Sequence, residues 1–85
     1  MIDVKQATSK AREYLVSFFP EAEEVQLQEV ELTNDKAYWL ITLSYEGASN
    51  SVASSLLVGK SVRYKVFKLD AKNGEVISMK IRDIK

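Results

Sequence analysis

Along DVKQATSKAREYLVSFFP, apolar residues fall at Val4, Ala7, Ala11, Tyr14, Leu15 and Phe18, the three- and four-residue steps of one helix face. Asp3 can cap the first turn with Gln6 three residues on, and Pro20 disfavours helical geometry at Phe19. The spacing predicts a helix over about residues 4–18. Beyond an acidic turn the period drops to two. In VQLQEVEL, Val25 and Leu27 share one parity and Val30 and Leu32 the other, so an extra residue near Gln28 or Glu29 is needed to bring all four to the core side. After the turn TNDK, Trp39, Ile41, Leu43 and Tyr45 alternate with Tyr38, Leu40, Thr42 and Ser44, a clear strand pattern. Strands are expected over about residues 25–32, 37–46, 61–69 and 75–84, with a long loop at 47–60.

The last two strands flank Asp70 to Glu75. If these two residues face each other across Ala71, Lys72, Asn73 and Gly74, then Val66 pairs with Met79, Tyr64 with Ile81, Lys65 with Lys80 and Arg63 with Arg82. Val62, Tyr64, Val66, Ile77, Met79 and Ile81 then form the core side. Arg63, Lys65, Phe67, Leu69, Val76, Ser78, Lys80 and Arg82 form the outer side. Gly74 supplies the positive φ of such a turn and Asn73 tolerates it. A calcium loop is the competing reading of the same acidic stretch, but Lys72 stands where that loop needs an oxygen ligand, and no glutamate follows at the bidentate position. The element order implies an α+β fold, an N-terminal helix packed on one face of a four-stranded antiparallel meander sheet.

Composition narrows the chemistry. At 85 residues, 46% hydrophobic and 28% charged, the chain reads as one folded domain with a single core. It has no cysteine and no histidine, which removes disulfides, the usual Cys/His zinc sites and histidine general catalysis. No apolar run is long enough to cross a membrane, and MIDVKQATSK has no signal-peptide core. A soluble protein without membrane insertion is expected, cytoplasmic as the chain stands and extracytoplasmic if an export signal was removed. The net charge is zero but unevenly spread. Residues 1–46 carry four basic and nine acidic side chains, residues 47–85 eight basic and three acidic.

The helix-then-sheet order, together with YKVFKLDAKNGEVISMKI, resembles the PepSY family, whose members close with a strand, a D-x-x-x-G-E-[VI] turn and a last strand. The matching residues are Asp70, Gly74, Glu75 and Val76. The resemblance implies a small, broadly cystatin-like α+β domain. It further implies a bacterial, non-enzymatic protein that binds or restrains a peptidase. The serine-rich segment before the third strand departs from the pattern, and the cystatin inhibitory signature Q-x-V-x-G is absent, since LLVG at Leu56–Gly59 lacks its glutamine.

No catalytic residues, cofactor or metal site emerge. Gly59-Lys60-Ser61 ends like a P-loop, but the earlier glycine position holds Ser54 and a strand follows where a helix is needed. Gly47 to Ser51 misses the nucleophile elbow, and Glu21, Glu23 and Glu24 read as a solvated turn. The candidate binding residues are Arg63, Lys65, Lys80 and Arg82 as steering charges on the outer face, with Phe67, Leu56 and Leu57 as apolar anchors. A protein partner is expected, a peptidase being the named one. The alternative is a homodimer or a nucleic-acid-associated accessory protein using a basic outer face, with nucleic acid disfavoured by the neutral overall charge.

Overall fold

The computed structural model describes residues 1–47 and 61–82, Ser61 by its backbone alone. Helix α1 spans Val4–Phe18, followed by strands β1 (Glu23–Leu32), β2 (Tyr38–Gly47), β3 (Ser61–Asp70) and β4 (Val76–Ile81). The helix begins where its cap is. The Asp3 side chain accepts from the Gln6 backbone at 2.8 Å, and the Asp3 backbone donates to the Gln6 side chain at 2.9 Å. Two orphan amides of the first turn are thereby satisfied. The four strands form one antiparallel sheet in the order β1-β2-β3-β4, and α1 lies across one of its faces. The fold is α+β, as the alternation of helical and strand periods predicts.

Ala7, Ala11 and Leu15 form the buried stripe of α1, and the two alanines let the helix backbone come close to the sheet. Tyr14 is half-buried, whereas Val4 and Phe18, expected on the same face, sit at its margins with 37% and 59% exposure. Against the stripe pack Ile41, Leu43 and Tyr45 of β2 with Phe67 and Leu69 of β3. The N-terminal segment is tied to the β3–β4 turn. The Ile2 amide donates to the Ala71 carbonyl at 2.8 Å, and the Trp39 indole donates to the Ile2 carbonyl at 3.2 Å.

Both edge strands carry an extra residue. In β1, Leu27 faces Leu43 and Glu29 faces Thr42, leaving Gln28 as the bulge that brings Leu27, Val30 and Leu32 to the helix side. A second shift lies between Glu23 and Gln26. In β4, Leu69 faces Val76 but Lys68 faces Ser78, so Ile77 is the extra residue. This bulge corrects the sequence-based register. Asp70 does meet Glu75, its amide donating to the Glu75 carbonyl at 2.8 Å, but beyond Ile77 every pair moves by one: Phe67 faces Met79, Val66 faces Lys80 and Lys65 faces Ile81.

The consequence is a different sorting of side chains. Phe67 and Leu69, expected on the outer side, are fully buried beneath α1. Arg63 and Lys65 share their face, because they stand four and two residues from Phe67 along β3 and face Tyr45 and Leu43 of β2. Charged residues are tolerated there since 15 helical residues reach about 22 Å whereas ten strand residues reach about 33 Å, so α1 does not cover the sheet end to end. Lys65 lies over the Phe19 ring, its Nζ 5.3 Å from the centroid. Val62, Tyr64 and Val66, expected in the core, instead face away from the helix with Lys80 and Arg82.

Candidate functional site

The face of the sheet opposite α1 is covered by no described element. Its rows follow from the register. Glu31, Leu40, Lys68 and Ser78 form one, and Glu29, Thr42, Val66 and Lys80 the next. Gln26, Ser44 and Tyr64 follow, with Arg82 bonded beside Tyr64 by its amide at 3.1 Å, and Glu46 and Val62 close the face. Leu40, Tyr64 and Val66 are half-buried, and Val62 is 56% exposed.

Arg82 organises this surface. Its Nη1 donates to Glu29 Oε1 at 2.8 Å and to Thr42 Oγ1 at 2.9 Å, and Nη2 lies 3.4 Å from Glu29 Oε2. The side chain therefore reaches from the β4 edge across the sheet to β1. The hydrogen bond and then the charge of Arg82 hold the Glu29 carboxyl below its ordinary range, against a smaller opposing effect of desolvation. The same partner raises the Arg82 guanidinium. Beside this network Gln28, placed by the bulge, donates to Ser44 Oγ at 2.9 Å. Thr42 and Ser44 are buried yet hydrogen-bonded, and among the described residues no buried side-chain polar atom lacks a partner. On the other flank Lys68 Nζ stands 4.3 Å from the Tyr38 ring centroid, a cation–π contact. A shallow depression of about 290 Å³ opens between Gln26, Gln28, Tyr64 and Val62.

The candidate residues read from the sequence do not form one cluster. Lys80 and Arg82 are on the open face, Arg63 and Lys65 on the helix face, and Phe67 is core. Leu56 and Leu57 lie outside the described residues, as does the expected 47–60 loop apart from Gly47, which ends β2. Glu29, Thr42, Val62 and Tyr64 are site residues that the sequence reading did not single out. Their signal was parity: once Gln28 is the bulge, Glu29 must fall on the face opposite Leu27.

The β3–β4 turn uses its acidic and amide groups internally. Asp70 Oδ1 accepts from the Lys72 amide and Asn73 Oδ1 from the Glu75 amide, both at 2.8 Å, and the Gly74 amide donates to the Asp70 carbonyl at 2.7 Å. Those oxygens close a turn instead of facing a common cation. Among the described residues no group of three or more acidic side chains is gathered for a metal, and no helix is long and apolar enough to cross a membrane. Compared with known proteins, the chain matches no family model, no curated protein and no solved structure.

Proposed function

We propose that this protein is a non-catalytic interaction domain that binds a folded protein, a peptidase by its PepSY-like turn, on the open face of its sheet. The observation that carries this reading is the composition of that face. An antiparallel sheet leaves one face to water readily when that face is polar. Here Leu40, Val62, Tyr64 and Val66 occupy the two central strands, with Glu31 on one flank and Lys80 on the other. An apolar centre with a charged rim is the usual anatomy of a protein interface.

Nucleic acid fits less well. The four-cation cluster that phosphates would need is divided between the two faces, and Arg82 is engaged with Glu29. The peptidase part rests on the turn motif Asp70-Gly74-Glu75-Val76 alone.

The test is affinity capture from lysate and culture medium of the source organism, using wild type, Val62→Asp, Lys80→Glu and, on the exposed side of α1, Glu13→Lys. A peptidase should be recovered by wild type and Glu13→Lys, and bound at least about tenfold more weakly by the two face variants, a loss of ~1.4 kcal/mol. Equal recovery by all four would remove the open face as the binding surface. A specific partner without peptidase activity would remove the peptidase and leave the face.

A further inference from the structure

We propose that the two edges of the sheet are complementary, and that one copy of this chain adds its β4 edge to the β1 edge of another. This goes beyond the open-face reading, since it uses the rims of the sheet instead of its surface. The meander order keeps the charge asymmetry of the chain intact: residues 21–46 hold seven acidic and one basic side chain, residues 61–82 six basic and two acidic, and the strands they form occupy opposite halves of the sheet. The charge therefore runs from acidic at one edge to basic at the other. Strand β1 contains Glu23, Glu24, Glu29 and Glu31 with no basic residue, and Val76 to Arg82 contains Lys80 and Arg82 with no acidic one.

The two edges also match face by face. On the open face β1 presents Glu31 and β4 presents Lys80, and neither has an ion-pair partner among the described residues. On the helix face β1 presents Leu27 and Val30, 43% and 37% exposed, and β4 presents Ile81, 74% exposed. When β4 of a second copy lies antiparallel beside β1 with both helices on the same side, apolar meets apolar and Glu31 meets Lys80. Joining β1 to β1 would oppose glutamates, and joining β4 to β4 would oppose cations. Each edge strand has one strand neighbour among the described residues, and such a junction supplies a second to the backbone groups on its outer side. The bulges at Gln28 and Ile77 restrict regular pairing to Glu29–Leu32 against Met79–Arg82, with Glu31 opposite Lys80 and Val30 opposite Ile81, so the junction is short. Because unlike edges meet, the contact is head-to-tail and propagates, as a ring where its rotation closes and as an open filament where it does not.

The test is molar mass by sedimentation equilibrium over a wide range of protein concentration, at low and high salt. Wild-type mass should rise with concentration and fall with salt. Glu31→Lys and Lys80→Glu should each stay monomeric, and the double variant Glu31→Lys/Lys80→Glu, which restores opposite charges across the junction, should associate again. Val62→Asp, placed on the open face, should associate like wild type, which separates this proposal from the partner-binding surface. A wild type that stays monomeric throughout, single variants that associate unchanged, or a double variant that fails to recover would each overturn it.

Discussion

The Arg82 guanidinium reaches from the end of β4 across the open face to Thr42 and Glu29; removing it takes from Glu29 the hydrogen bonds described above, whereas removing Glu29 leaves Arg82 bonded to Thr42. Since the folded state favours ionised Glu29, its contribution to stability is present above the ordinary value of 4.5 and is lost as pH falls through the depressed folded value. Thermal melts of wild type and Glu29→Gln should differ at neutral pH, converge in acid, and differ less at high salt because the pair is exposed. A difference that persists unchanged into acid would mean that the pair is not what Glu29 contributes. Gly74 is the other residue with a single physical role. Its φ is +79°, and an added Cβ would run into the Lys10 side chain and Ile2. Gly74→Ala is expected to cost about 1–2 kcal/mol from the left-handed backbone alone, read as a lowered urea midpoint.

At the level of elements, the helix was legible to the residue, Val4–Phe18, because cap, period and proline agree. The β1 bulge was legible for a similar reason: Val25 and Leu27 against Val30 and Leu32 admit no other common face. The β4 bulge was not. Ile77, Met79 and Ile81 alternate without a break, and β3 has apolar residues of both parities, so a regular pairing satisfies the pattern on paper. What decides is volume under the helix, where Phe67 and Leu69 join Ala7, Ala11 and Leu15 in one buried cluster. Moving that choice by one residue moved Arg63 and Lys65 off the open face and brought Val62, Tyr64 and Val66 onto it. Two substitutions distinguish the assignments by equilibrium urea unfolding. Phe67→Ala should cost about 3–5 kcal/mol, as a buried aromatic does, and Val66→Ala about 1 kcal/mol. Comparable costs at the two positions would contradict the burial of Phe67.

For the whole molecule, the meander converts a gradient along the sequence into a gradient across the sheet, acidic at β1 and basic at β4, while α1 takes one face and no described element covers the other. Partner recognition then centres on the open face and self-association on its two edges, with Glu31 and Lys80 common to both. Which side chains reach the open face depends on the register between β3 and β4. The chain has no cysteine, so pairs can be introduced without competition. The Arg82 amide bonds the Tyr64 carbonyl, which makes the next pair, Lys65 with Ile81, a non-hydrogen-bonded one with the short separation that a cross-strand disulfide needs. Mild oxidation of the folded protein should close an intrachain disulfide in Lys65→Cys/Ile81→Cys and leave Lys65→Cys/Lys80→Cys reduced, its thiols on opposite faces. Closure of the second pair but not the first would return Phe67 to the outer side and remove the open face described above.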